Sequence, residues 1–164
     1  VAPEAMSRPE SVPSLGNIRG GLTTAREKAA GTLAKAGSST IKGVIRTFHR
    51  PDEPGLYLEI PVPGSYEGLS DPQCAMQMAA CGAHIVVEST GVGTVTGGVV
   101  SPVIKVCANP KACALLADDI DIDASAIMTG ERNIHELGDD IFQEILAVAV
   151  GKRTKAEILG HLED

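Results

Sequence analysis

Two short apolar runs, "HIVV" at 84–87 and "VVSPVIKVC" at 99–107, flank a stretch that reads "ESTGVGTVTGG" at 88–98. Mostly apolar runs of this length, bounded by turn residues, are the pattern of strands buried on both faces. They predict strands over 84–89 and 102–107. Between them, four glycines and three threonines loosen the backbone.

A helical period appears on either side. Ile134, Leu137, Ile141, Ile145 and Val148 recur at three- and four-residue spacing. That predicts a long amphipathic helix opening after Asn133, with Glu136 at its third position. Thr24 and Glu27 have capping-box spacing and predict a helix over 25–36 that Gly37 ends. Gly31 weakens that helix by roughly 1 kcal/mol relative to alanine, which points to close packing or ligand approach there. Asp71-Pro72 reads as an N-cap followed by proline at the first helical position, opening a helix that runs to Gly82. Asn109-Pro110 repeats the device for a helix over 111–119, and Thr154 with Glu157 caps a short last helix.

The remaining segments fill in the order. "GLYLEIPVPG" at 55–64 predicts a short strand stopped by prolines, and "IDIDAS" at 120–125 precedes the long helix. Residues 1–22, with three prolines and no apolar period, read as an irregular arm or interdomain connector. Residues 23–164 then form the domain. Strand, helix, strand, glycine loop, strand, helix is an α/β order, and strands that are apolar along most of their length imply a mainly parallel sheet covered on both faces.

Composition narrows the function. The only large aromatics are Phe48, Tyr57, Tyr66 and Phe142, so the core is built from Val, Ile, Leu, Ala and Met. Aromatic poverty argues against base-stacking platforms, and a net charge of -7 argues against a nucleic-acid backbone footprint. A small anion held by local cations stays open. Cys74, Cys81, Cys107 and Cys113 form no C-x-x-C pair, which argues against a zinc ribbon and fits reduced thiols in a cytoplasmic protein. No apolar run approaches the ~18 residues of a membrane span, and no signal peptide is visible. The chain opens on Val1 and reads as a piece of something longer.

The glycine stretch admits three readings. A dinucleotide fingerprint needs a helix to begin at the glycines, whereas Gly91-Val92-Gly93 leads into the β-branched "TVTGGVVSPV". A Walker loop needs Gly-Lys-Ser/Thr, which is absent. A plain surface loop and a hollow for a small anion both remain. The second draws on physics: ligands of open parallel sheets sit beyond the carboxyl ends of strands, and this loop leaves such an end. Glycines let main-chain N–H groups come close, and threonine hydroxyls add donors.

Three blocks, "GNIRGGLTTAREKAAGTLAKAG" (16–37), "STGVGTVTGGVVSPVIKVCANP" (89–110) and "DIDIDASAIMTGERNIHELG" (119–138), occur in that order. Together they resemble the C-terminal portion of the altronate/galactarate dehydratase family, from about Pro13 to the end, including "LGH" at 159–161. The resemblance implies a Rossmann-like, three-layer α/β region with a mainly parallel sheet, belonging to a longer enzyme with a small N-terminal β-clip domain. It also implies a metal site, Fe(II) dependence, homo-oligomers, and dehydration of a galactarate- or altronate-like sugar acid to a 2-keto-3-deoxy acid. Related proteins eliminate sulfite from sulfolactate instead. Two departures stand out: Val92 occupies the place of a family arginine, and Leu15 that of a family proline. The missing arginine leaves a third reading open, a non-catalytic module that binds a small acid or mediates assembly.

Carried over residue by residue, the resemblance implies Lys28 and Lys105 as catalytic residues. It implies Asn17, Thr23, Thr24, Thr90, Gly91, Gly93 and Asn109 as substrate-binding residues, and Glu27, Asp121 and Asp123 as metal ligands. Most of these have a simpler reading. Glu27 pairs with Thr24 in the capping box, Lys28 is a solvated helix charge, and Asn109 is the cap before Pro110. Lys105 interrupts an apolar strand, which costs free energy unless its ammonium finds a partner or a site. Asp121 and Asp123 share a face if extended, and otherwise read as solvated turn residues. Cys74 and Cys107 are further iron-ligand candidates. His84 reads as structural, while His49, His135 and His161 are too scattered to make a triad.

Overall fold

The computed structural model describes residues 36–60 and 70–162, with residues 15–19, 21, 23, 24, 27, 30 and 31 before them. Lys28 lies outside the described residues, as does the side chain of Asn17 within the short helix α1 (Leu15–Arg19). The chain divides into two compact units, Val1–Gly68 and Leu69–Asp164.

The first unit holds a two-stranded parallel sheet of β1 (Ile41–Arg46) and β2 (Leu56–Ile60). Strand β2 matches the start of the expected 55–64 strand. Strand β1 is a finding beyond the sequence reading. Lys42, Gly43 and Arg46 break its apolar run, although its burial alternates residue by residue. The chain turns back between the two strands at Phe48, whose φ of 71° is a left-handed value rare for an aromatic residue. Thr47 is buried here and anchors the turn: its N–H donates to Ile60 O at 3.2 Å, and its hydroxyl donates to the Glu59 carboxylate.

The second unit is organised around a three-stranded parallel sheet in the order β3 (Val86–Thr90), β4 (Val103–Cys107), β5 (Ile122–Asp123). Every residue of the central strand β4 is buried, as its apolar run predicts. Successive side chains of a strand point to opposite faces, and the core divides accordingly. Val103 packs with Val86 and Ala75, and Cys107 with Ala112, Cys113 and Ile120. Val106, on the other face, packs with Ala124 and Leu137. The expected α/β fold with parallel pairing is present, in two small sheets; a full three-layer Rossmann-like form is more than these sheets show.

The helices follow their start signals closely. Helix α2 spans Asp71–Ala80, with its cap one residue earlier than expected. Ser70 is the N-cap, its N–H donating to Gln73 Oε1 at 3.0 Å, and Asp71 is already helical. Helix α3 (Pro110–Leu115) is capped by Asn109, and the rest of the expected 111–119 helix is turn. The short α4 (Ala126–Thr129) ends at Gly130 and was not signalled by any period. Helix α5 (Ile134–Ala149) has the expected capping box between Asn133 and Glu136, and α6 (Lys155–Leu159) the expected one between Thr154 and Glu157. On α5, Leu137 and Val148 are buried and Ile141 and Ile145 half-buried, but Ile134, at the first turn, is 71% exposed. Among the described residues no helix is long and apolar enough to cross a membrane.

Candidate functional site

Parallel pairing aligns the strand ends. Thr90 stands opposite Cys107, and Cys107 opposite Asp123, so the chain leaves β3, β4 and β5 at one edge of the sheet. The loop after β3 and the cap after β4 are joined there. Thr90 Oγ1 accepts from the Gly93 N–H at 3.0 Å. Asn109 uses both ends of its amide: Oδ1 accepts from the Lys111 N–H at 3.0 Å, and Nδ2 donates to Gly91 O at 2.9 Å. Thr90, Gly91, Gly93 and Asn109 thus form one hydrogen-bonded group at the carboxyl edge, where open parallel sheets receive ligands. Gly93 has a φ of 84°, and a Cβ there would run into the Leu116 side chain. No helix begins at these glycines, since the next regular element is β4, which removes the dinucleotide reading. Val92 is 85% exposed.

Lys105 lies at the centre of the sheet, 0% exposed and in register with Glu88. Its Nζ donates to Val95 O at 3.1 Å, so the glycine-rich loop passes back over the amine. Burial pushes its pKa down, against the carboxylates of Asp121, Asp119 and Glu88, which raise it; Lys155 adds to the lowering. Burial likewise raises the pKa of Glu88, with Asp71 in the same direction and Lys105 opposing. The ammonium has therefore found partners inside the unit, beneath the loop rather than at an open strand end. One charge in each of two apolar strands was a visible signal for the Glu88–Lys105 pairing, which the sequence reading missed.

Asp121 and Asp123 act differently from each other. Asp121 Oδ2 accepts from the Lys105 N–H and Oδ1 from the Lys155 N–H, both at 2.8 Å. Asp123 Oδ1 accepts from the Ser125 N–H at 2.8 Å. Hydrogen bonds from Ser125, with a further one from Cys113, hold its carboxyl below the usual range against a burial effect in the opposite direction. Both aspartates line a shallow hollow with Ile122, Asp140, Gln143 and Glu144. In that hollow Asp140 pairs with Arg132, and Glu144 with Lys152 at 2.6 Å.

In the first unit, the Thr23 N–H and hydroxyl each donate to Glu27 Oε2 at 2.8 Å. The Glu27 N–H donates to Thr24 Oγ1 at 3.1 Å. The carboxylate thus reaches Thr23 instead of closing the box on the Thr24 main chain, and the Thr23 main-chain bond is the chief cause of its lowered pKa. No disulfide links the four cysteines. Cys107 and Cys113 are buried together, where burial pushes the Cys113 thiol up to about 12. Cys74 is exposed on α2. His84, expected at the start of a buried strand, is exposed ahead of β3. His161 contacts Asp119 across a separation that offers no local sequence signal, its Nδ1 3.1 Å from Asp119 Oδ1.

Among the described residues no three His, Cys, Asp or Glu side chains come together as a metal site. Asp121 gives both oxygens to main-chain N–H groups, and Asp123 gives one. The described donor set does not make a metal centre.

Comparison with known proteins places the chain. The model of the D-galactarate/altronate dehydratase C-terminal family matches residues 2–164. The chain is 38% identical over 158 residues to the (2R)-sulfolactate sulfo-lyase subunit beta of Chromohalobacter salexigens, covering 94% of this chain and 38% of that protein. It is 40% identical over 142 residues to the galactarate dehydratase (L-threo-forming) of Escherichia coli, covering 86% of this chain and 26% of the relative. To the altronate dehydratase of Escherichia coli it is 37% identical, covering 87% and 27%. The chain therefore spans well under half the length of these relatives. It belongs to the D-galactarate/altronate dehydratase family, as the family's C-terminal region.

Proposed function

We propose that this chain is the substrate-gripping part of a lyase that removes water from a galactarate- or altronate-like sugar acid. The observation that carries the reading is the group formed by Thr90, Gly91, Gly93 and Asn109 at the carboxyl edge of a parallel sheet, with Lys105 beneath the same loop. In this reading main-chain N–H groups and hydroxyls of the loop hold the substrate carboxylate.

Dehydration breaks a C–H bond beside the carboxylate and a C–O bond on the next carbon. The base takes the proton, the electron pair becomes the C=C bond, and hydroxide leaves as water once protonated. The enol then tautomerises to the 2-keto-3-deoxy acid. A buried lysine whose pKa is lowered is suited to the role of base, since only the neutral amine accepts a proton. Lys105 has that role here, and Lys28 is a second candidate. A divalent metal such as Fe(II), implied by the family resemblance, would stabilise the enediolate. No step is assigned to it, because the described donors do not assemble one.

A second reading is elimination of sulfite from a sulfolactate-type substrate. It draws on the match to a sulfo-lyase subunit over 94% of the chain and on Val92 in place of the arginine. Self-association belongs to the proposal too, since Ile134, Phe142 and Leu146 lie exposed along α5.

The test is a substrate panel with Fe(II) under reducing conditions, run on a longer protein carrying this chain and on the 164 residues alone. Keto-acid formation from a sugar acid by the longer protein supports the first reading, and sulfite release from sulfolactate the second. Binding without turnover across the panel favours a non-catalytic acid-binding module. Little or no turnover is expected from the 164 residues alone.

A further inference from the structure

Lys105 is fully buried under loop 91–98, so no substrate touches its amine in the arrangement described. What holds the loop down is therefore decisive for any chemistry there. The Gly97 N–H donates to His161 O at 2.8 Å. A Cβ on Gly97 would stand 2.7 Å from both that oxygen and Ala156 Cβ, so the contact requires glycine. Val95, whose carbonyl takes the Lys105 ammonium, is two residues away along the loop. His161 is fixed in turn on two sides: its N–H donates to Ala156 O at 2.9 Å, and its Nδ1 meets the Asp119 carboxylate at 3.1 Å. The Asp119 side chain is 14% exposed and that of His161 is 37% exposed, so the fixed partner is the carboxylate and the outer one the imidazole.

We propose that His161 is a positioning residue for Lys105: with Asp119 it latches loop 91–98 over the amine, and unlatching opens the amine to a small carboxylate substrate. The proposal rests on the reading of this loop as the substrate loop, but its test uses no substrate and does not depend on turnover. A surface ion pair with no positioning role would leave loop 91–98 closed; because the Asp119 carboxylate also raises the Lys105 pKa, His161→Ala is the deciding variant.

The experiment is reductive methylation of the 164-residue chain with formaldehyde and cyanoborohydride at one pH, followed for each lysine by mass spectrometry. Exposed Lys111 and Lys152 serve as references. In the wild type, Lys105 should react at least about tenfold more slowly than Lys111, the protection expected of a closed local state. His161→Ala and Asp119→Ala should each speed Lys105 by about tenfold while leaving both references unchanged. His161→Gln, whose amide can donate to Asp119, should restore protection. Amide exchange of Ile104 and Val106 checks that β4 stays folded, and if His161→Ala does not fold, His161→Ser decides in its place. Protection of Lys105 unchanged in the folded alanine variants, or an equal gain at all three lysines, would overturn the latch.

Discussion

The main-chain N–H of Lys105 donates to the Asp121 carboxylate at 2.8 Å, and the other oxygen of that carboxylate receives the Lys155 N–H at the same distance. One side chain thereby ties the middle of the central strand to the start of the last helix. Hydrogen bonds to a charged group contribute about 1.5–3 kcal/mol each, and removing the acceptor strands both donors. Asp121→Ala should lower the stability of the unit by about 3 kcal/mol or more. Urea unfolding checks this: the midpoint should fall with the slope unchanged.

Two glycines of the same loop should respond oppositely to alanine. Gly91 has no left-handed φ, and a methyl group placed on its α-carbon would meet nothing within 4 Å. Gly91→Ala should therefore stay within about 0.5 kcal/mol of wild type. Gly93 has a φ of 84° and faces Leu116. Gly93→Ala should cost about 1–2 kcal/mol from the backbone conformation alone, with the displaced Leu116 adding to it. Thermal unfolding of the two variants side by side makes the comparison.

Glu88 gives a pH signature. Its folded-state pKa is raised above the ordinary 4.5, so ionisation is harder in the folded chain than in the unfolded one. The resulting cost is fully present above the raised pKa and vanishes once pH falls below 4.5. Glu88→Gln should therefore be more stable than wild type at neutral pH, with the advantage shrinking as pH drops through that window. Denaturant midpoints at several pH values measure it; an advantage that grows on acidification would reverse the sign.

How much of this was legible in the sequence depended on whether the cause was local. The capping pairs Asn133–Glu136 and Thr154–Glu157 sit within one helical turn, and both helices begin where those pairs place them. Apolar continuity identified β4, which is buried on both faces, but overstated β3, where Val87 and Ser89 are exposed on one face. Strand β1 escaped notice because Gly43 and two cations interrupt its apolar pattern, and its partner β2 supplies the missing half of the signal. The sequence placed the glycine loop at the carboxyl end of a strand, and only the family resemblance grouped Thr90, Gly91, Gly93 and Asn109; the bond from Asn109 to Gly91 that joins them depends on the fold. The double use of Asp121 and the contact of His161 with Asp119 were not legible, since each depends on segments that meet only after folding.

Lys105→Met separates a base from a structural cation. A methionine fills a similar volume without burying a charge, so the unit should still fold. In a longer protein that carries this chain and turns over a sugar acid, kcat should fall by about 10²–10⁴-fold, the usual contribution of a positioned general base. An unchanged kcat would move the base to another residue, with Lys28 next in line.

The central claim, that the glycine-rich loop grips a negatively charged small metabolite, is tested most directly by titrating galactarate into the isotope-labelled chain and following its amide resonances. The account predicts saturable shifts concentrated at Thr90, Gly91, Gly93 and Val95. Saturable shifts confined to other parts of the chain, with those four amides unmoved, would contradict it.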